Sequence, residues 1–270
     1  MKSIPACGFG TYRLRDKVAY DSVLHALKTH KHIDTANLYK NEAEIGKALR
    51  DSGVEREDVW ITTKVQLKDI IKGKDAIYNS IVNSLEQLDV PYIDLVLLHG
   101  PAGDDKKLVE SWCALEEMIL GNIERLKGKV RYIGVSNYNL SHLKPVMDSC
   151  RIKPYANQIE VSPYLNRSDV IDYCKENGIV VVAHTSLIKG EKFGDQKLED
   201  LSKRIGISKP LILLAWGLHH GMVVLPRSSK VDHIDENWKC LDVKLDNEVV
   251  SELDEFYKVD RYCTHPKYVE

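Results

Sequence analysis

A tyrosine, a lysine, an aspartate and a histidine, at Tyr39, Lys64, Asp34 and His99, are the side chains whose types and places along the chain could do chemistry together. A tyrosine hydroxyl, with an ordinary pKa of about 10, is a reluctant acid at neutral pH. A lysine ammonium beside it stabilises the phenolate and makes the proton easier to give away. The lysine in turn needs a counter-charge to stay protonated in a partly buried site, and an aspartate supplies one. A histidine can donate a hydrogen bond to a substrate oxygen and orient the carbon for attack. Such a set suits delivery of a proton to a carbonyl oxygen while hydride reaches the carbon. Taken singly, each residue also has a plain structural use. Asp34 could cap a turn, Tyr39 could pack at a helix entry, Lys64 could reach outward from a strand end, and His99 could sit satisfied in the core.

The elements that would position these residues alternate between short apolar strands and longer amphipathic stretches. Strands are expected at 6–11, 32–36, 59–65, 92–98, 131–135, 155–160, 179–184 and 223–225. Helices are expected near 17–30, 41–51, 74–88, 106–126, 139–149, 168–177, 209–219 and 230–239, with two more near 196–205 and 246–257. The strands are rich in β-branched residues and apolar on both faces, as buried parallel strands require. Eight strands alternating with helices predict an α/β fold, a (β/α)8 TIM barrel occupying 1–270 as one domain. Polar residues stand at or just beyond many strand ends: Thr11, Asp34, Lys64, His99, Ser136 with Asn137, Gln158, His184, and Arg227 with Ser228. A barrel gathers those ends on one face, whereas an open sheet would spread them along an edge.

Composition narrows the class. The 270 residues are 43% hydrophobic and 29% charged, an ordinary globular balance. A formal charge of -2 gives no overall pull toward nucleic acid or anionic lipid, and neither is expected as a partner. No apolar run approaches the ~20 residues of a membrane helix, and the N-terminus is too short in apolar length for a secretory signal. The expected home is the cytoplasm. The six cysteines, Cys7, Cys113, Cys150, Cys174, Cys240 and Cys263, include no C-x-x-C pair and read as buried or idle thiols. Adjacent His219 and His220 would point about 100° apart on a helix, so surface or packing roles are expected; no metal site is predicted.

Ordered motifs then carry a resemblance. The stretch His32-Ile-Asp-Thr-Ala-Asn-Leu-Tyr-Lys-Asn-Glu-Ala-Glu-Ile-Gly resembles the aldo-keto reductase signature around its catalytic Asp and Tyr. Thr62-Thr-Lys-Val is similar to that family's lysine strand, Ile93-Asp-Leu-Val-Leu-Leu-His-Gly-Pro to its histidine strand, and Ile133-Gly-Val-Ser-Asn-Tyr to its fifth strand. Asn157-Gln-Ile-Glu and Leu225-Pro-Arg-Ser-Ser continue in order, so the resemblance runs from about Gly8 to Pro266. It implies an oxidoreductase that reduces aldehydes and ketones, with Tyr39 as general acid, Lys64 and Asp34 tuning it and His99 orienting the carbonyl. The implied cofactor is NADPH (NADP+), with NADH the lesser alternative, and no metal takes part. Ser136, Asn137 and Gln158 would hold the nicotinamide carboxamide, which needs donors and acceptors. Arg227 and Ser228 would grip the adenosine 2′-phosphate, for which a planar guanidinium is well shaped. Glu236 and Asn237 would lie by the adenine, and Leu187, Lys189 and Gly190 would form the pyrophosphate loop. Gly8-Phe-Gly lacks the third glycine of a dinucleotide fingerprint, and no P-loop is present. Gly8 and Gly10 are read as turn glycines under the cofactor, with Gly10, Thr11 and Asp34 among its contacts.

Departures from the family pattern set further expectations. His184 stands where many members carry a tyrosine stacked on the nicotinamide; a histidine ring can stack, with less area and a charge near pH 6.5. His233 stands where a second phosphate-binding arginine is common. Gly100 and Tyr12 replace tryptophans that often line the substrate pocket, so a roomier pocket with weaker clamping is expected. The full N-terminal hairpin and long C-terminal loop of the family are absent, which predicts an open pocket. A monomer is expected on the resemblance. Two other readings compete: a non-catalytic NADPH-binding protein on the same fold, which the intact tetrad opposes, and a Schiff-base lyase with Lys64 as nucleophile, which Asp34 opposes by favouring the ammonium.

Overall fold

The computed structural model describes residues 3–256. Eight strands run in chain order around one sheet, every neighbouring pair parallel: β1 (Phe9–Gly10), β2 (His32–Asp34), β3 (Trp60–Val65), β4 (Ile93–Leu98), β5 (Val130–Ser136), β6 (Ala156–Glu160), β7 (Val180–His184) and β8 (Val223–Val224). The sheet closes on itself. Val224 N donates to Ala6 O, Gly8 N to Val224 O and Gly10 N to Pro226 O, each at 2.9 Å, joining the last strand to the first. Around it lie α1 (Asp16–Ala26), α2 (Glu42–Asp51), α3 (Leu67–Lys72), α4 (Lys74–Leu88), α5 (Asp105–Ile119) and α6 (Leu140–Ser149). The ring continues with α7 (Ser168–Glu176), α8 (Gln196–Ile205), α9 (Lys209–His219), α10 (Val231–Trp238) and α11 (Asn247–Asp254). This is the expected (β/α)8 barrel.

Strand alternation decides what fills it. On β3 and β4, Ile61, Val65, Val96 and Leu98 join the apolar shell under the helices, while Trp60, Leu95 and Leu97 join a separate interior cluster with Ala156, Val182, Val223 and Leu225. One end of that interior is an aromatic plug: Trp60 stacks on Tyr132 at 5.3 Å between ring centroids, and Tyr132 lies 4.4 Å from Tyr155. The next inward positions along the same strands toward their C-terminal ends are polar. The inward register that buries Trp60 and Leu97 therefore delivers Lys64 and His99 to the opposite end, where a TIM barrel builds its site.

Some local expectations are corrected. The helix expected over 106–126 stops at Ile119, because Gly121 adopts a left-handed φ of 80° and Glu124–Leu126 form only a 3-10 turn. Helix α3 was not expected; it opens directly after β3 and Gln66. Gly8 and Gly10 are not turn glycines, since neither has a positive φ and Gly10 belongs to β1. They permit close approach instead: a Cβ on Gly8 would meet the His32 ring at 2.5 Å and Leu225 at 2.7 Å, at the seam where the barrel closes. The tail expected to leave the pocket open and Cys263 lie outside the described residues, and the helix expected over 246–257 ends earlier, at Asp254. Among the described cysteines all are free, with Cys7, Cys174 and Cys240 buried and Cys113 and Cys150 half-buried. No described helix is long and apolar enough to cross a membrane.

Candidate active site

Lys64 sits at the centre, its side chain fully buried at the end of β3. Its ammonium has three acceptors, one for each hydrogen: Asp34 Oδ1 at 2.6 Å, Thr35 O at 2.9 Å and Tyr39 Oη at 3.4 Å. Burial lowers the Lys64 pKa, and the charge and hydrogen bond of Asp34, with the charge of Glu42, act in the opposite direction. Glu42, at the start of α2, is itself buried, which raises its pKa; Thr63 Oγ1 donates to its Oε1 at 2.6 Å. Tyr39 ends a 3-10 turn, Asn37–Tyr39, that Lys40 closes with a left-handed φ of 55°. The loop is tied down by buried Asn41, which accepts from Thr35 Oγ1 and donates to the carbonyls of Thr11 and Leu14. The His99 ring meets the Tyr39 ring edge to face at 5.6 Å. The four residues expected to act together thus converge, from two strand ends, a loop and the residue after β4.

A run of amides joins this group on its other side. Gln158 Nε2 donates to Asp34 Oδ2 at 2.7 Å, so both carboxylate oxygens of Asp34 are engaged. Ser136 Oγ donates to Gln158 O at 2.9 Å. Asn137 Nδ2 reaches Ser136 Oγ at 3.1 Å and His99 O at 3.0 Å, while His184 Nε2 lies 3.0 Å from Asn137 Oδ1. The His184 pKa falls to about 3, chiefly through burial and then through the charges of Lys64, Arg167 and Lys189. The charge expected on this residue near pH 6.5 is therefore corrected: its ring is neutral there.

Both groups open into a cavity of about 1010 Å³ at the C-terminal ends of the strands. That is at the upper end of the ~300–1,000 Å³ of small-molecule sites. Its floor includes Gly10, Thr11, Asp34, Tyr39 and His99, and one wall Ser136, Asn137, Gln158 and His184. Leu187, Lys189 and Gly190 border it on the loop after β7, where Ile188 and Lys189 both have left-handed φ values of 53°. Arg227, Ser228, His233, Glu236 and Asn237 line its far end, on the β8–α10 loop and α10. Every residue expected at the cofactor except Gly8 is thus on this one cavity. Arg227 is exposed, its guanidinium 3.4 Å from Arg13 O. Tyr12, Leu38 and Leu67 line the other end, and no residue of the 100–104 segment does.

Residues 6–258 match the family model described as Aldo/keto reductase family. The chain belongs to the aldo/keto reductase family. A 9,11-endoperoxide prostaglandin H2 reductase of Trypanosoma cruzi (strain CL Brener) is 36% identical over 268 residues, covering 97% of this chain and 91% of its own. A glyoxal reductase of Bacillus subtilis (strain 168) is 35% identical, with 97% of this chain and 92% of its own covered. A crystal structure of an aldo-keto reductase from a Medee basin deep-sea metagenome library superposes with a TM-score of 0.90 at 31% identity, covering 97% of this chain and 95% of that one. As a member of a family of nicotinamide-dependent oxidoreductases, this aldo-keto reductase is an oxidoreductase. Its sequence did not announce several of the residues now seen at the site. Thr35 contributes only a carbonyl, which no side-chain pattern reveals. Arg13 and Thr185 line the cavity with left-handed φ values of 62° and 59°, which residue type does not foretell. Leu67 could have been found from its place just after β3, had α3 been expected.

Proposed function

We propose that this protein reduces aldehydes and ketones to alcohols with NADPH, with Tyr39 as the general acid. The observation that carries the reading is the buried Lys64 ammonium bridging Asp34 Oδ1 and Tyr39 Oη at the base of a cavity lined by amides. The donor set fits a nicotinamide cofactor. Amide and hydroxyl groups of Ser136, Asn137 and Gln158 suit a carboxamide, and Arg227 with Ser228 suits a phosphate at the far end of the same cavity. When bound, NADPH supplies the hydride. The protein supplies the rest. His99 orients the carbonyl oxygen between itself and Tyr39, and Tyr39 Oη gives that oxygen its proton. Lys64 stabilises the phenolate left behind, and Asp34 keeps Lys64 charged and in place. In the reverse direction the phenolate takes the proton from the alcohol.

A lyase acting through Lys64 is disfavoured, because a nucleophilic amine needs a free lone pair and here all three ammonium hydrogens have acceptors. The relatives that reduce glyoxal or a prostaglandin endoperoxide support a reductive direction and do not fix the substrate. The test is NADPH oxidation with a panel of aromatic and aliphatic aldehydes, wild type beside Tyr39→Phe. Wild-type turnover that falls by roughly two orders of magnitude or more in Tyr39→Phe, with NADPH binding nearly unchanged, is expected. Turnover by neither protein, with NADPH bound by both, would instead establish a non-catalytic binding protein.

A further inference from the structure

His184 differs from the tyrosine common at this place in the family, and the hydrogen bonds around it give the difference a use. Both ring nitrogens are engaged, Nε2 with Asn137 Oδ1 at 3.0 Å and Nδ1 with Thr185 Oγ1 at 2.9 Å. Asn137 settles which nitrogen carries the proton. Its Nδ2 faces two acceptors, His99 O at 3.0 Å and Ser136 Oγ at 3.1 Å, so its Oδ1 must be the atom toward His184. An amide oxygen only accepts, so the neutral imidazole is protonated on Nε2, and Nδ1 accepts from the Thr185 hydroxyl. Asn137 and Thr185 both hold left-handed φ values, 61° and 59°, a conformation that costs a non-glycine residue free energy and that these bonds help maintain. With both N–H groups of Asn137 used inside the protein, the amide has one free site, a lone pair on Oδ1.

We propose that His184 is a positioning residue: it locks the Asn137 amide so that this side chain offers an acceptor, and not an N–H, to the carboxamide of the nicotinamide, and so selects that amide over the corresponding acid. The inference rests on the NADPH reading above and adds a specificity to it. A carboxamide presents an N–H to the free lone pair, whereas a carboxylate brings a second acceptor against it. Without the Nε2–H bond the Asn137 side chain can turn and offer its own N–H to a carboxylate.

The test needs no turnover. Binding of NADP+ and of its deamidated analogue, nicotinic acid adenine dinucleotide phosphate, is measured by calorimetry in wild type, His184→Phe, His184→Gln and Thr185→Val. The readout is the ratio of the two dissociation constants. In His184→Phe, which keeps an aromatic ring and loses the donor, the preference for the amide should fall by about tenfold, the scale of one hydrogen bond. His184→Gln keeps an N–H donor and should recover part of it. Thr185→Val keeps the histidine but releases its tautomer, and should shift the ratio in the same direction by less; this variant carries the test if His184→Phe does not fold. An equal loss for both dinucleotides in His184→Phe would make the residue a mere stacking plate and overturn the proposal, as would an unchanged ratio in Thr185→Val and His184→Phe alike. Failure of the wild type to bind either dinucleotide would instead bring down the NADPH reading and this inference with it.

Discussion

At the scale of the residue, the buried Lys64–Asp34 pair is where both stability and rate are most exposed. The two side chains are 0% and 5% accessible, so neither charge can turn to water if the other is removed. Asp34→Asn leaves a buried ammonium without its counter-charge, and the burial that already lowers its pKa then goes unopposed by that partner. Breaking such a pair costs on the order of 3 kcal/mol. Urea unfolding should show that loss at neutral pH. Carbonyl reduction should fall with it, since a deprotonated lysine cannot support the Tyr39 phenolate. Unchanged stability would mean that Lys64 finds another route to solvent or charge. Arg227 offers the opposite kind of test, being exposed and distant from Lys64. Arg227→Ala should weaken NADPH binding by about 10- to 100-fold, the loss of a charge-assisted hydrogen bond, while leaving NADH binding nearly unchanged. An equal loss for both dinucleotides would place Arg227 at some other part of the cofactor. The candidate tetrad could be read from the sequence because Asp34, Lys64 and His99 fall at or just after three successive strand ends and Tyr39 in the loop that follows the first. The contacts between residues could not: Gln158 meets Asp34 across 124 positions and His184 meets Asn137 across 47, and both meetings depend on strand register.

At the scale of the element, strand periodicity was a reliable guide where a strand is buried on both faces, as in β3 and β4. It overran in β1, in β2 and by one residue in β8. The two strands at the seam, β1 and β8, are two residues each, because the closing seam of the barrel is made by staggered bonds from the loops beside them. Helix ends were less legible, since apolar periodicity continues past Ile119 and only the backbone of Gly121 stops α5. Helix α3 was invisible because six residues are too few for periodicity to register. What the sequence hides most completely is where two helices touch backbone to backbone. Gly46 in α2 lies against the end of α4, where an added Cβ would stand 2.2 Å from Leu88 O and 2.6 Å from its carbonyl carbon. Backbone atoms cannot rotate away as a side-chain tip can, so one helix must shift. Gly46→Ala should therefore destabilise the protein by about 1–3 kcal/mol, although alanine is the better helix former. A thermal melt reads the sign directly. A raised melting temperature would mean that α2 and α4 are free to move apart.

For the whole molecule, the barrel holds neutral imidazoles at three levels, and together they set its tolerance of acid. His32 is buried inside the barrel, 3.0 Å from Thr62 Oγ1, and its pKa is lowered to about 3, chiefly by burial. His30 lies between the Phe9 and Trp238 rings, joining β1 to α10, and burial lowers its pKa to about 4. His184 at the mouth falls to about 3. In the unfolded chain each would protonate below its ordinary value of 6.5, while in the folded protein each stays neutral until about 3 or 4. The unfolded state therefore binds more protons over that interval. Stability is full above 6.5 and is lost as pH falls toward the folded values, by up to about 1.4 kcal/mol per pH unit for each buried histidine. Glu42, whose pKa burial raises, works the other way, since protonating it favours the folded state, but one carboxyl opposes three imidazoles. Unfolding free energies measured by urea at about pH 7 and about pH 5 should differ by several kcal/mol, with the loss beginning near the histidine range rather than the carboxylate range. His30→Leu removes one titrating ring, and with it a buried Nε2 that has no hydrogen-bond partner. It should flatten the slope by about a third, while removing at neutral pH the contact between Thr29 Oγ1 and the ring Nδ1, 3.1 Å apart. A slope unchanged in His30→Leu would show that acid unfolds the barrel through its carboxylates and not through the histidines it buries.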